Sequence, residues 1–288
     1  MYFDSLQSFT ARSRPILAKG PIAMIFAEDE VELDATLRHH REAGFVQLLL
    51  FAPDAFKLAE DLEPVVTRIR YTMAQDNALS NAVNAVNRAA PAGTWLYYCY
   101  NAEFLFYPFR ETRTVGELLT FHTEERRDAM LTYVVDIYAD DLARFPNAVS
   151  IDDAYLDRSG YYALARKDEN GHPRERQLDF FGGLRWRFEE HVPAQRRKID
   201  RISFFRARPD LRVREDYTFD DQELNTYSCP WHHNLTACIC SFRTAKALKK
   251  NPGSRQQIGS YYWFNSEKFK WKERTLLDLG LMEPGQWF

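Results

Sequence analysis

Short apolar runs alternate with amphipathic segments over the first third of the chain. The runs cover residues 21–27 (PIAMIFA), 45–53 (FVQLLLFAP), 65–72 (VVTRIRYT) and 94–100 (TWLYYCY). Their length is typical of strands, and the third run also alternates with period two. The pattern therefore predicts four strands.

Two longer segments between these runs have helical character. Residues 28–44 begin with acidic residues and end with Arg, His and Gly44, which suits the helix dipole and a C-terminal cap. Residues 75–91 carry apolar side chains at helical intervals, and a shorter helix is predicted from Asp54. Strands separated by helices favour a parallel α/β sheet.

The rest of the chain is less regular. A helix is predicted over 114–130 and strands over 131–139 and 198–207. Residues 140–180 are polar and rich in loops, with an exposed turn predicted in RKDENGHPRERQ. No repeat or linker divides the chain. We predict one domain over 1–288, with an α/β half over 1–110 and an irregular α+β elaboration over 111–288.

Composition and charge argue against several classes of protein. The chain has 288 residues, 45% of them hydrophobic, and a formal net charge of -3, so no overall positive field recruits nucleic acid. No apolar run is long enough for a transmembrane segment, and no leader pattern is present. Four cysteines in a chain of this length do not indicate a disulfide framework. We expect a soluble, cytoplasmic protein.

Polar residues follow the predicted strands where ligands bind in open α/β sheets, outside the carboxyl ends. These ends are residues 27–29, 52–54 and 100–103. Asn101 and Glu103 interrupt an aromatic stretch, and burying an uncompensated carboxylate costs several kcal/mol, on the order of 2–7 even for neutral groups. They either open into a cleft or form a structural pair. We predict that Glu103 lies at the mouth of a cleft, beside Asn101, and is not buried.

Two segments carry a resemblance to a known family. IAMIFAEDEVELDATLRHHREAGFVQLLLF (22–51) and GTWLYYCYNAEFLFYP (93–108) resemble glycosyltransferase family-two-like proteins of GT-A fold. The resemblance covers roughly the first 110 residues. It implies a mostly parallel twisted sheet flanked by helices, and transfer of a sugar from a nucleotide-sugar donor to a glycan acceptor. It makes 1–110 the nucleotide-binding half and 111–288 the acceptor side.

The chain departs from the family where a metal would bind. Tyr100, Asn101 and Ala102 stand in place of the Asp-x-Asp motif that holds a metal on the diphosphate, and Glu103 remains. One carboxylate and an amide bind Mg or Mn weakly. The resemblance thus implies a divalent cation whose site is weakened.

The donor-binding residues that we predict in the first half are Ala27, Asp29, Asp54, Asn81, Asn101 and Glu103.

The segment CPWHHNLTACICSFR (229–243) is rich in metal-capable side chains. Its spacing, C-x2-H-H-x4-C-x-C, fits no common zinc pattern, and buried cysteines often act as small hydrophobic residues. A late histidine is the second metal ligand in many GT-A enzymes, so the resemblance makes His232 and His233 the candidates. We predict His233, together with Glu103, as metal ligands.

Residues 182–201 supply cations and candidate bases. Gly182 and Gly183 precede Arg185 and Arg187, and guanidinium groups bind phosphate in a bidentate manner. We predict that this pair stabilises the leaving diphosphate. A carboxylate would act as general base for the acceptor hydroxyl, with Glu189, Glu190 and Asp179 as candidates.

Two functions therefore follow from the sequence. The first is a glycosyltransferase of polysaccharide biosynthesis. The alternative is a catalytically silent GT-A-like module that binds carbohydrate or a partner, which the replaced Asp-x-Asp carboxylates suggest. The C-terminal aromatic residues, among them Tyr261, Tyr262, Trp263 and Trp271, suit stacking on sugars but equally suit ordinary packing.

Overall fold

The computed structural model describes residues 1–226 and 235–287. The strands of this part, numbered β1 to β13 in chain order, are Tyr2–Phe3, Ile22–Phe26, Gln47–Ala52, Val66–Arg70, Trp95–Tyr100, Glu103–Phe106, Ala129–Ala139, Ala154–Asp157, Tyr162–Lys167, Pro173–Phe181, Asp200–Arg206, Ala237–Ser241 and Ser266–Lys268. The α-helices, α1 to α8, are Leu6–Arg12, Leu33–Glu42, Ala78–Ala89, Val115–Glu124, Leu184–Arg187, Arg243–Lys250, Pro252–Gln257 and Glu273–Asp278. Short 3-10 helices cover Glu189–His191, Ala194–Arg196 and Gln222–Asn225.

The fold is α/β, with a mostly parallel, mixed sheet flanked by helices. The chain divides into two compact units. The first contains Met1–Phe104, Thr112–Leu131 and Ile202–Asn225. The second contains Leu105–Glu111, Thr132–Arg201 and the described residues from Thr226 onward.

In the first unit, the strands lie in the order β1-β4-β3-β2-β5-β11. The first five are parallel to their neighbours, and β11 is antiparallel to β5. Strands β2, β3 and β4 follow one another outward in one direction, and β5 lies on the other side of β2. The strand order thus reverses between β2 and β5, which is the topological switch point of a Rossmann-like sheet.

Side chains alternate between the two faces of this sheet because successive Cβ atoms of a strand point in opposite directions. Ile22, Met24 and Phe26 of β2 join a core that includes Phe9 of α1 and Val83 of α3. On the opposite face, the ring of His40 in α2 packs against Tyr97 of β5 at 5.3 Å between centroids. Helices therefore cover both faces, as a parallel sheet requires.

The second unit contains a smaller mixed arrangement. Strand β12 runs parallel to β7, β8 is antiparallel to β7, and β13 is antiparallel to β8. Strands β9 and β10 form a separate antiparallel pair. Tyr138 of β7, Leu184 of α5 and Tyr261 belong to one buried core.

The predicted strands and the two longer helices of the first half are confirmed, although α2 begins only at Leu33. The short helix predicted from Asp54 is wrong, since 53–62 forms turns. The region 140–180, predicted to be rich in loops, contains β8, β9 and β10, and the predicted exposed turn lies between β9 and β10. In the part of the chain that the structure describes, no helix has the length and apolarity to cross a membrane.

Candidate functional site

The residues after β2 and β5 meet at the switch point of the first unit. The two strands pair in register up to Phe26 and Tyr100, so their following residues emerge side by side. The backbone N–H of Asn101 donates to the carbonyl of Phe26 at 3.0 Å, and that of Ala27 donates to Phe51 at 2.9 Å. The backbone of Ala27, whose side chain is buried, thus continues the sheet by one residue.

The side chain of Asn101 ties the two strand ends together. Its Oδ1 accepts the backbone N–H of Glu28 at 2.9 Å. Its Nδ2 donates to Asp29 Oδ1 at 2.7 Å and to the carbonyl of Val31 at 2.9 Å. Asn101 is fully buried, whereas Asp29 is partly exposed. Asn101 therefore positions the Asp29 carboxylate from inside the core.

The position of Glu103 differs from the predicted one. Its side chain is 0% exposed, and its Oε2 accepts the backbone N–H of Tyr100 at 2.9 Å. The chain bends at Ala102, whose φ is 58°, and this bend returns the carboxylate to the strand end. The prediction that Glu103 lies exposed at a cleft mouth is wrong. The Glu103 carboxylate accepts a hydrogen bond from the buried backbone N–H of Tyr100, and a buried N–H without a partner would cost free energy.

The loop after β2 is strongly acidic. Its acidic side chains up to the first turn of α2 are Glu28, Asp29, Glu30, Glu32 and Asp34. These charges oppose a phosphate, even though an uncapped helix N-terminus by itself attracts anions. Carboxylates instead accept hydrogen bonds from hydroxyl groups. The Asp29 edge is therefore chemically better suited to hydroxyl groups than to phosphate.

Asp54 lies at the same edge of the sheet, after β3, and is exposed. Its carboxylate accepts the Tyr2 hydroxyl at 3.0 Å and lies 3.6 Å from Arg70 Nη1. The loop after β3 also contacts the acidic loop, because the backbone N–H of Lys57 donates to Glu30 Oε1 at 2.8 Å. Asn81 is exposed on α3, and its amide donates to the carbonyl of Asp76 at 3.4 Å.

In the second unit, both predicted arginines form buried ion pairs. Arg185 Nε lies 3.2 Å from Asp136 Oδ1, and its Nη1 donates to the carbonyl of Lys198 at 2.6 Å. Burial raises the pKa of Asp136, and Arg185 opposes that shift. Gly183 permits this approach, since a Cβ on it would lie 3.1 Å from Asp136 Oδ2. The glycine pair thus brings the backbone close to a carboxylate.

Arg187 belongs to a network around Asp157, a residue that no sequence pattern indicates. Arg187 Nη1 lies 3.0 Å from Asp157 Oδ1, and Nη2 donates to the carbonyl of Tyr261 at 2.7 Å. Asp157 Oδ1 also accepts the indole N–H of Trp263 at 2.7 Å and the Tyr138 hydroxyl. Burial, and then Asp157, raise the pKa of Tyr138, so this hydroxyl remains a donor.

Asp157 is 1% exposed and ends β8, in a region predicted to be rich in loops. The strand has only four residues, and nothing in their sequence, AYLD, indicates a buried carboxylate.

The three predicted bases differ in their surroundings. Asp179 Oδ1 lies 2.8 Å from Arg166 Nε and 3.3 Å from Lys198 Nζ. Glu189 pairs with Arg197 at 3.2 Å and is 57% exposed at its side chain. Glu190 is 62% exposed and lies 3.7 Å from His191. The three carboxylates thus have different ion-pair partners.

The predicted metal ligand His233 lies outside the described residues, as do Cys229 and His232. Cys238 and Cys240 are fully buried in β12, and burial raises the pKa of the Cys240 thiol. They pack as small hydrophobic side chains. Within 1–226 and 235–287, no three or more His, Cys, Asp or Glu side chains form a group able to hold a metal ion.

The sequence was also compared with known proteins. No protein family model matches the chain, and no curated protein matches it significantly.

Proposed function

We propose that the protein is a glycosyltransferase of GT-A type that binds a nucleotide-sugar donor at the carboxyl edge of the parallel sheet in its first unit. The observation that carries this proposal is the Asp29 carboxylate, held by Asn101 at the point where the strand order reverses. Ligands of open α/β sheets bind at this point. The resemblance of 22–51 and 93–108 to family-two-like glycosyltransferases supports the same assignment.

In this proposal, Asp29 accepts a hydrogen bond from a ribose hydroxyl of the nucleotide. Asn101 contributes by fixing the carboxylate and the backbone of Glu28 and Val31. A pre-positioned carboxylate loses little side-chain entropy when the ligand binds. The acidic surroundings direct the nucleoside, rather than the diphosphate, to this edge.

The reaction is the displacement of a nucleoside diphosphate. The acceptor hydroxyl oxygen bonds to the anomeric carbon of the sugar, the bond from that carbon to the diphosphate breaks, and the hydroxyl proton passes to a carboxylate. Glu189, Glu190 and Asp179 stay the predicted bases. Among them, Asp179 is engaged by two cations, whereas Glu190 contacts only a histidine among the described residues.

A divalent cation fits the described residues poorly. Glu103, the acid that remains from the family pattern, is buried and caps Tyr100. Arg185 and Arg187 are likewise engaged with Asp136 and Asp157, so their contact with a diphosphate stays a prediction. We therefore assign no step to a metal.

The proposal is tested by titrating the full chain with UDP, GDP, ADP and CMP in a calorimeter, with Mn²⁺ or with EDTA. We expect one nucleotide to bind and to raise the melting temperature, since a ligand of the native state stabilises it. Asp29→Asn should weaken binding about tenfold or more, because a hydrogen bond to a charged group contributes about 1.5–3 kcal/mol.

Glu42→Gln is the matched control. Glu42 is exposed at the far end of α2, so this variant makes the same change of charge away from the sheet edge. It should bind the nucleotide as the wild type does. The proposal is wrong if no nucleotide binds, or if Asp29→Asn binds as tightly as Glu42→Gln.

A silent binding module is the second candidate function. It is favoured by Glu103, which is buried and caps Tyr100, whereas the resemblance assigns it to the donor and a metal. The same titration separates the two functions, because a module that binds only glycans gives no response to any nucleotide.

A further inference from the structure

A three-residue aromatic segment stands out on the surface of the second unit. Tyr262 is 52% exposed and Phe264 is 80% exposed, with Trp263 between them. We call Tyr262–Phe264 the aromatic turn. The ring of Tyr155 on β8 contacts Tyr262 edge-on, with centroids 5.3 Å apart. Several aromatic rings are thus presented close together.

The aromatic turn is held in place by hydrogen bonds that link Trp263 to Ser266. The backbone N–H of Ser266 donates to the carbonyl of Trp263 at 3.0 Å, and the N–H of Trp263 donates to Ser266 Oγ at 2.9 Å. Ser266 Oγ also lies 2.7 Å from the Tyr138 hydroxyl, which is bonded to buried Asp157. The turn is therefore tied to the core of the unit.

Trp263 is the anchor of this turn. Its indole N–H donates to Asp157 at 2.7 Å, and the guanidinium of Arg187 lies 4.4 Å from its ring centroid. Phe264 packs edge-on against the same indole, with centroids 4.8 Å apart. A cation over an indole and a buried hydrogen bond both restrict the ring. Phe264 is therefore exposed while it packs against an indole ring whose position is fixed by Asp157 and Arg187.

The polar groups beside the aromatic turn carry charges of both signs, since the carboxylates of Asp153 and Asp140 both act on Lys268. Lys268, opposite Tyr155 in the β8–β13 pairing, lies 3.2 Å from Asp153, which also pairs with Arg144 at 3.1 Å. Arg158 Nε donates to the side chain of Asn265 at 3.3 Å. A surface that attracts anionic lipids needs lysines and arginines in excess of acids. Neutral hydroxyl-bearing ligands, in contrast, need aromatic faces and neighbouring donors and acceptors.

We infer that the aromatic turn and Tyr155 form a binding site for a neutral glycan. One face of a pyranose ring is lined by C–H groups and packs on an aromatic ring, while its hydroxyls reach polar side chains such as Asn265. Rings fixed before binding lose little entropy, which favours this use of a restrained turn. The inference rests on the proposed function for the role of the glycan as acceptor, but glycan binding is measured separately.

The test is calorimetric titration of the full chain with maltohexaose, cellohexaose, chitohexaose and mannohexaose. We expect at least one of them to bind. Tyr262→Ala combined with Phe264→Ala should weaken that binding about tenfold or more, because two stacking rings are removed. Phe264→Tyr keeps the ring and should bind as the wild type does.

The matched control is Tyr162→Ala combined with Leu164→Ala. These side chains on β9 are 43% and 55% exposed, so the control removes similar apolar surface elsewhere on the same unit. Glycan affinity should not change in this variant. If none of the four oligosaccharides binds, or if both double variants lose affinity equally, the inference is wrong.

Three further outcomes separate the inference from its rivals. If the chain instead sediments with vesicles containing phosphatidylglycerol, and the Tyr262/Phe264 variant does not, the partner is a lipid surface and the inference is overturned. If a nucleotide binds but no glycan does, this inference is wrong and the proposed transferase is unaffected. Glycan binding without nucleotide binding supports the inference and rejects the proposed transferase.

Discussion

The side-chain amide of Asn101 donates a 2.7 Å hydrogen bond to the carboxylate of Asp29, which joins the residues following two neighbouring parallel strands. Asn101 also accepts the N–H of Glu28. One amide, which follows β5, thus hydrogen-bonds two residues that follow β2. A buried amide with partners for both its oxygen and its nitrogen is stabilising, whereas a partly satisfied one is costly. Asn101 is therefore a positioning residue whose replacement should affect the whole edge.

Asn101→Asp should destabilise the protein by about 3 kcal/mol at pH 7, because it removes two donors and places a second carboxylate beside Asp29. Like charges raise the folded-state pKa of this pair above its unfolded value, so stability is lost as pH rises through the raised pKa. The defect should thus be smaller at pH 5 than at pH 8. Urea unfolding at both values measures it.

Asn81→Asp is the control for this variant. Asn81 is exposed, and its amide makes one long hydrogen bond of 3.4 Å. Its substitution should change stability by less than about 0.5 kcal/mol. Equal effects of the two substitutions would show that Asn101 has no special part in the edge.

The sequence predicts the first unit well because its strands are continuous apolar runs between helical segments. Such runs are typical of parallel strands buried on both faces. The second histidine of RHHREAGF, His40, has a structural role. It is fully buried, and its Nδ1 lies 2.8 Å from the carbonyl oxygen of Thr36. Local pattern and long-range packing agree in this half.

Prediction fails where backbone geometry decides the outcome. Glu103 follows a residue in the left-handed region, Ala102, and this bend turns a side chain expected in a cleft back toward Tyr100. Strand β9 was missed because nearly all its side chains are exposed, so it has no alternation between buried and solvent-facing positions. The pairing of Asp157 with Arg187 joins residues far apart in the chain, and spacing carries no signal for it.

His122 should make stability depend on pH. The His122 side chain is 1% exposed and packs near Trp95, and neither ring nitrogen has a hydrogen-bond partner among the described residues. Burial, and then Arg127, lower the pKa of His122 to about 3. The unfolded state therefore binds an extra proton below its own pKa of about 6.5, and stability is lost as pH falls from there.

This histidine alone should remove about 2 kcal/mol between pH 7 and pH 5. His122→Phe keeps an aromatic ring at the site and cannot be protonated. Its unfolding free energy should decline less over this interval than that of the wild type, and the difference between the two curves isolates His122 from other titrating groups. Parallel curves would mean that the ring is already hydrated or paired in solution.

The ion pair between Arg187 and Asp157 should be strongly coupled. Arg187→Met leaves a buried carboxylate without its cation and should cost about 3–5 kcal/mol. When Asp157→Asn is added to this variant, the charge is gone, so the double variant should be more stable than the sum of the single losses implies. Urea unfolding of the four proteins gives the coupling free energy. Additive losses would indicate that the pair is solvated.

Gly182 should tolerate no side chain. A Cβ on Gly182 would lie 2.1 Å from Cδ1 and 2.7 Å from Cε1 of Tyr161. These distances are far below van der Waals contact, and an aromatic ring cannot yield as the end of a flexible chain can. Gly182→Ala should therefore cost about 3 kcal/mol, at the upper end for overpacked sites.

Gly259→Ala is the matched control, because a Cβ at that position meets no described atom within 4 Å. It should leave the melting temperature nearly unchanged. Adding Tyr161→Ala to Gly182→Ala removes the ring that the new methyl group strikes, so the double variant should recover part of the loss. Thermal unfolding of the three variants tests this. A Gly182→Ala protein as stable as the Gly259→Ala protein would mean that the Tyr161 ring does not rest on the Gly182 backbone in solution.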